Sequence, residues 1–117
     1  MNTKERGKWG EDLALEFVKE KGYKYVARNF RSRFGEIDLI IKNSEFIVFV
    51  EVKLRKNADF AEAREFVSYS KQNKIRSTAN LWLSSRKLEL QPRFDVIEIY
   101  VSNAESKPEI NHIENAF

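Results

Sequence analysis

The sequence predicts an α/β domain in the order α-β-β-β-α-β, with a central mixed sheet flanked by helices. A hairpin signal spans Gly35 to Leu54, where two runs rich in Ile and Val flank Asn43-Ser44. Both faces of that hairpin carry large apolar residues, so each face needs a cover. Two stretches of helical periodicity, one before the hairpin and one after it, can supply the covers.

Residues 4–21 fit an amphipathic helix, with Trp9, Leu13 and Phe17 at four-residue spacing beside Ala14 and Val18. Thr3 is placed to cap its start and Gly22 to end it. A first strand follows from Tyr23 to Arg31, and Gly35 opens the hairpin. With a two-residue loop, Lys42 faces Glu45, Ile40 faces Ile47 and Asp38 faces Phe49. Directly opposed residues share a face, as do alternate residues along a strand. Asp38, Glu51, Lys53 and Glu36 then share one side, with Asp38 diagonal to Glu51. The other side carries Ile37, Leu39, Ile41, Phe46, Val48, Val50 and Val52. A three-residue loop would pair Asp38 with Val50 and move it to the opposite face.

The segment from Arg55 to Glu62 is polar and reads as an irregular loop. A second helix runs from about Glu65 or Ser68 to Leu83, with an apolar stripe of Ile75, Thr78, Ala79 and Trp82. Lys71 lies one turn earlier on that stripe, so its ammonium is directed along the sheet. Arg86-Lys87 and Pro92 mark a turn, and Arg93 to Val101 alternates as a last strand. The tail, with Pro108, Ile110, His112, Ile113 and Phe117, reads as a short strand or a segment packed on the body.

At 117 residues the chain is one domain, and 42% apolar with 33% charged residues describes an ordinary globular composition. The absence of cysteine excludes disulfides and thiolate metal sites. No apolar run is long enough for a bilayer and no apolar signal segment follows the N-terminus, so a cytoplasmic location without membrane contact is expected. After residue 100, Glu105, Glu109 and Glu114 oppose only Lys107, a balance of −2; the overall +3 therefore means +5 on the first hundred residues. That excess is clustered at Arg28, Arg31 and Arg33, at Lys53, Arg55 and Lys56, and at Lys71, Lys74 and Arg76. Basic clusters beside carboxylates suggest a polyanionic partner, with nucleic acid the first candidate and a solvated charged surface the plainer alternative.

The carboxylates carry the chemistry. Asp38 and Glu51 can reach inward to one hard cation, and Mg²⁺ (or Mn²⁺) suits two carboxylates plus a substrate phosphate. Lys53, two residues beyond Glu51, can reach an attacking water or a phosphate oxygen. Such parts supply what phosphodiester hydrolysis requires. Glu-x-Lys on a strand is weak by itself, and Lys53 as a salt-bridge partner of Asp38 or Glu51 is the structural alternative. His112 is the only histidine, so no histidine triad or histidine-rich metal site can be built. Trp9 and Trp82 read as core, Asp95 as structural, and there is no Gly-rich phosphate loop.

These residues resemble the PD-(D/E)xK restriction-endonuclease-like superfamily: Asp38, then Glu51-Val52-Lys53 on the next strand, preceded by a helix bearing Glu11. More narrowly, the chain is similar to the small bacterial YraN-like family of predicted endonucleases, related to archaeal Holliday-junction resolvases. The matching segments are Gly10-Glu11-x-x-Ala14, Asn29-x-Arg31-x-x-x-Gly35-Glu36-Ile37-Asp38-Leu39-Ile40, Val48-Phe49-Val50-Glu51-Val52-Lys53-x-Arg55, Lys71, Arg93-Phe94-Asp95-Val96 and His112-Ile113-x-x-Ala116-Phe117. The superfamily's proline before the aspartate is Ile37 here.

The resemblance implies a single restriction-endonuclease-like domain over residues 1–117, with Asp38 and Glu51 as metal ligands, Glu11 as an outer carboxylate and Lys53 as the catalytic lysine. It implies a phosphate contact for Lys71, and Arg31, Arg33 and Arg55 are expected to line the same groove. The expected function is Mg²⁺- or Mn²⁺-dependent cleavage of branched or flapped DNA. The alternative is a DNA-binding module of the same fold with absent or vestigial cleavage. A homodimer is suggested by analogy with junction resolvases.

Overall fold

The computed structural model describes residues 1–55, 67–101 and 107–117. Helix α1 (Thr3–Glu20) starts one residue earlier than its expected Thr3 cap. Asn2 Oδ1 accepts from the Glu5 N–H at 2.8 Å, and Glu5 Oε1 accepts from the Asn2 N–H at 3.3 Å, a reciprocal capping box. Gly22, at φ +95°, turns the chain out of the helix in the left-handed region. Strands β1 (Lys24–Arg31), β2 (Glu36–Lys42) and β3 (Phe46–Arg55) follow, then α2 (Tyr69–Ser84), β4 (Gln91–Tyr100) and β5 (Glu109–Ile113). The irregular segment expected from Arg55 to Glu62 falls outside the described residues except for Arg55, which still belongs to β3. A helix start at Glu65 lies outside them too, whereas Ser68 caps α2 by accepting from the Lys71 N–H at 3.2 Å.

The sheet order is β1-β2-β3-β4-β5. It is mixed: β3 and β4 run parallel, and the other neighbours are antiparallel. Beyond the expected order, the tail adds β5 as a short edge strand beside β4.

The hairpin register differs from expectation by one pair of residues. Lys42 faces Ile47, and Ile40 faces Phe49, so residues 43–46 lie between the last facing pair. Asn43 is the cause, because its Oδ1 accepts from the N–H groups of both Glu45 and Phe46, at 2.9 and 2.8 Å. The Asn43 N–H in turn donates to the Phe46 carbonyl at 3.0 Å. The slip is an even number of residues, so Ile40, Phe49, Glu51 and Lys53 keep the shared face that parity assigns them, whereas Ile37 does not.

Two apolar layers enclose the sheet. On one face Ala14 and Val18 of α1 pack on Leu39, Ile41, Val48, Val50, Ile97 and Ile99, with Val52 and Leu54 at the margin. The buried line of α1 is Gly10, Ala14 and Val18, and Trp9 is only half-buried. The expected core role of Trp9 is thereby corrected: small residues at the contact bring the helix close, and a Cβ on Gly10 would lie 3.2 Å from Leu54 Cδ1. On the other face Ile75, Ala79 and Trp82 of α2 pack on Ile40, Ile47, Phe49 and Val96, and Trp82 meets Phe49 edge-to-face at 5.8 Å. Ile37, expected beside Leu39 and Ile41, joins this second layer instead. The β2–β3 pairing stops at Leu39–Val50, and Ile37 follows its β1 partner Phe30 towards α2.

A buried polar knot ties the tail to β4. Asp95 is fully buried and accepts from Arg93 at 2.9 and 2.8 Å, from the Asn115 N–H at 3.0 Å and from His112 Nε2 at 2.7 Å. Arg93 also donates to the Tyr23 hydroxyl at 2.6 Å. Burial alone would raise the Asp95 pKa, but the His112, Arg93 and Asn115 hydrogen bonds outweigh it and hold the carboxyl below its ordinary range. Replacing Asp95 with Asn should cost about 3 kcal/mol, because it leaves the buried Arg93 charge only the half-exposed Glu114 carboxylate, 3.4 Å away. Urea unfolding at pH 7 measures this loss, which should be larger than the loss from Asp12→Asn at the exposed end of an ion pair.

Candidate active site

On β3, Val52 and Leu54 face α1, so the alternate residues Glu51 and Lys53 project toward α2. Lys71 comes to meet them from the first turn of α2. Its Nζ lies 2.5 Å from Glu51 Oε1, and Lys53 Nζ lies 3.4 Å from that same oxygen. The Glu51 side chain is only 7% exposed, whereas that of Lys71 is 43% exposed. A buried carboxylate thus carries a near lysine from its own strand and a reaching lysine from the helix.

Asp38 joins the group from β2. Its Oδ2 accepts from the Val52 N–H at 2.9 Å, so the side chain bonds the β3 backbone where the strand pairing has ended. Continuing the Leu39–Val50 register by one residue sets Asp38 level with Glu51, in place of the diagonal relation expected. Burial is the main reason that the Asp38 pKa is raised to about 7, and repulsion from Glu51 adds to it. The Val52 amide opposes the shift, while Glu11 and Glu36 reinforce it. The two lysines are driven apart. Burial, then the neighbouring Lys71, lowers Lys53 against the pull of Glu51. Burial also acts to lower Lys71, but its close contact with Glu51 prevails and raises it.

The other candidates divide. Glu11, on α1, is near enough to raise Asp38, and it lies 3.3 Å from Arg28. Arg28 also holds Asp12 at 2.7 Å and donates to the Lys8 carbonyl at 3.2 Å, so it clamps α1 to β1. Nothing in the local sequence around Arg28 signals that clamp, because its partners lie on a different element. Arg31 is exposed and lies 3.4 Å from Glu36, the next carboxylate out from Asp38. Arg33 sits in the β1–β2 turn over the Phe34 ring, 4.9 Å from its centroid. Arg55 requires a correction, since it is buried with its Nε 3.5 Å from Glu98 Oε2. Arg55 shares the face of Lys53, and parallel pairing places Glu98 beside Lys53, so this carboxylate draws Arg55 inward.

A metal has a chemically suitable but incomplete set of donors here. Asp38 and Glu51 offer hard oxygen ligands, and the Asp38 pKa, raised by burial and then by Glu51, marks a carboxylate whose surroundings disfavour its charged form. Among the described residues no three His, Cys, Asp or Glu side chains converge as a protein-only cage. Two carboxylates with the remaining positions left to water or substrate fit Mg²⁺ or Mn²⁺ better than a structural metal. No helix among the described residues is long and apolar enough to cross a membrane.

Comparison with known proteins finds bacterial relatives of this chain. The family model for "Uncharacterised protein family UPF0102" matches residues 10–99. A UPF0102 protein of Thermodesulfovibrio yellowstonii is 45% identical, covering 97% of this chain and 96% of that protein. One of Clostridioides difficile is 43% identical over 100% of both chains, and one of Dictyoglomus turgidum is 39% identical, again over 100% of both.

The Asp38 shift has a definite sign. A carboxyl whose folded pKa lies above its unfolded value stabilises the fold fully below the unfolded pKa, and that contribution is lost as pH rises through the folded pKa. The metal-free protein should therefore lose stability from about pH 4 to about pH 7 through this group. Asp38→Asn should flatten that part of the curve and raise the melting temperature at pH 8. Melting curves of both proteins in EDTA across this range check it; parallel curves would show that Asp38 is not the strained group.

Proposed function

The chain belongs to the UPF0102 family, the YraN-like group, and from the chemistry of its site we propose that it is a nucleic-acid-binding, metal-dependent phosphodiester hydrolase, an endonuclease for branched or flapped DNA. The observation that carries this reading is the meeting of Asp38 and Glu51 on paired strands with two lysines on one oxygen of Glu51. A structural ion pair needs one lysine and one carboxylate. Here a second carboxylate is held nearby, and burial first, then repulsion from Glu51, raises its pKa to about 7.

Asp38 and Glu51 would hold Mg²⁺ or Mn²⁺, with Glu11 outside them. When bound, the ion supplies a Lewis acid for the phosphoryl oxygen and acidifies a water. The Val52 amide fixes the Asp38 carboxylate in orientation. Lys53, rigidly placed on β3 and lowered in pKa by burial, orients the attacking water and holds or passes its proton at Nζ. Lys71, on the more exposed stem, neutralises Glu51 until substrate arrives and then offers its ammonium to a phosphate oxygen.

The rival reading is a DNA-binding module of this fold without cleavage. The 2.5 Å Lys71–Glu51 contact favours it, because that contact closes one oxygen of a needed ligand. Incubating the protein with duplex, flap and four-way-junction DNA, in Mg²⁺, Mn²⁺ or EDTA, separates the two readings. Metal-dependent cutting is expected, with Asp38→Asn and Lys53→Ala each lowering the rate by about 10²-fold or more. Asp38→Asn should bind DNA as tightly or more tightly, since it removes a negative charge. Binding without cutting by the wild type would establish the rival.

Lys71 yields a test that needs no cleavage. Lys71→Met removes a cation from the metal position and should tighten Mn²⁺ binding by about tenfold, as a like charge disfavours a second cation nearby. Calorimetric titration of the free protein measures it. Unchanged or weaker Mn²⁺ binding would show that Lys71 does not guard the carboxylates.

A further inference from the structure

β1 and β2 both change faces at the position of Asp38. On β1, Ala27 packs with the α2 layer and Arg28 bonds Glu11 and Asp12 of α1, yet Phe30 returns to the α2 layer. On β2, Ile40 packs with the α2 layer and Leu39 with the α1 layer, and Ile37 is again on the α2 side. Residues two apart on a regular strand share a face, so Arg28 with Phe30 and Leu39 with Ile37 break that rule together. Arg28 pairs with Leu39 and Phe30 with Ile37, which sets Asn29 level with Asp38 between them.

Asn29 supplies the backbone for this change. It holds φ +53° inside a strand, in the left-handed region. Among the described residues the other non-glycine residue with positive φ is Asn115, in the turn that follows β5. Side chains are disfavoured in that region, Asn less than most and β-branched residues more than most. The Asn29 side chain is exposed, so apolar packing does not select the residue. Arg28 and Phe30, tied to opposite sides of the sheet, fix the twist on either side of it.

The twist acts on Asp38. The β2–β3 pairing ends at Leu39–Val50, one residue short of Asp38, and there Asp38 Oδ2 accepts from the Val52 N–H at 2.9 Å. Glu11 of α1 and Glu51 on the α2 face both disfavour its charged form, as befits a carboxylate between the faces. On a regular strand the side chain would stand roughly perpendicular to the sheet, directed away from the neighbouring backbone. We propose that Asn29 is the positioning residue for Asp38: its left-handed backbone turns the β1–β2 ladder so that the Asp38 carboxylate meets β3 beside Glu51. The inference rests on the reading of Asp38 and Glu51 as metal ligands, and deepens it by assigning the residue that sets their meeting. Asn29 needs no contact with metal or substrate in this role. Its backbone conformation is what matters, so glycine can replace it.

Asn29→Gly accepts the left-handed conformation and Asn29→Val resists it; Asn29→Ala takes the place of valine if that variant does not fold. Two readouts on the full chain without DNA test the role: hydrogen exchange of the Val52 amide in EDTA, and calorimetric titration with Mn²⁺. The glycine variant should match the wild type in both. Valine should speed Val52 exchange by roughly 10-fold or more and weaken Mn²⁺ binding by roughly 10-fold. The Ala116 amide, bonded to the Phe94 carbonyl at 2.7 Å, should keep its wild-type exchange. In an Asp38→Asn background, Asn29→Val should weaken Mn²⁺ binding no further, because it acts through that carboxylate. Wild-type Val52 exchange in the valine variant, equal acceleration of Val52 and Ala116, or a glycine variant as impaired as valine would each overturn the role. A protein that never cuts can still support it, since neither readout involves DNA. Wild-type protein that binds no Mn²⁺ overturns the metal reading, and the Val52 amide then decides the positioning by itself. If the positioning fails while Mg²⁺ or Mn²⁺ still drives cutting, the nuclease reading stands without it.

Discussion

A carboxylate buried on β3 governs the surroundings of Glu51. An isolated ionised carboxylate out of water is unfavourable by far more than any single packing contact can offset, so a cation must be brought to it. Lys71 serves that need from α2, which means that docking of the helix and neutralisation of the sheet are one event. Lys53 is then the second cation at one oxygen, and its pKa falls. Asp38, beside a carboxylate already committed to lysines, is left with a backbone amide and a raised pKa. The three shifts are a single electrostatic problem seen from three residues.

The Arg93–Asp95–His112 knot handles buried charge in the opposite manner. There the donors saturate Asp95, and its pKa falls below the ordinary range instead of rising. Lys21 donates to His112 Nδ1 at 2.7 Å, which leaves the Nε2–H to point at Asp95. One charged group in this small domain is closed and structural, and the other is held open and strained. Strain of that kind is tolerated where another partner is to enter, which is the physical ground for assigning chemistry to Asp38 and Glu51 and architecture to Asp95.

Much of this was legible from residues alone, and the misses have local causes. Parity in the hairpin sufficed to place Glu51 and Lys53 opposite Val50 and Val52, because every second residue must share a face. The α2 stripe of Ile75, Thr78, Ala79 and Trp82, with Lys71 one turn before it, followed from helical periodicity and matches the buried residues. The register was missed by one pair because the Asn43 side chain adopts two backbone amides, a choice that dipeptide turn rules do not encode. Arg55, expected to line the groove, is buried instead, because Glu98 reaches it by parallel pairing with a strand far along the chain. Trp9 looked central by size, whereas the contact is made by Gly10, where absence of a side chain is what matters.

The topology also sets an order in which the cluster can come together. Asp38 and Glu51 belong to adjacent strands joined by a tight turn at Asn43, so their meeting requires only the closure of a short hairpin. β3 and β4 instead pair Phe46 with Gln91 and Val50 with Asp95, positions separated by forty-five residues, with α2 carried on the crossover between them. Closing so long a loop is entropically slower than closing a hairpin. A chain emerging residue by residue can therefore set its two carboxylates side by side before the lysine of α2 exists to separate them. In that interval Glu51 has Lys53 of its own strand as a cation, and docking of α2 brings it a second one in Lys71.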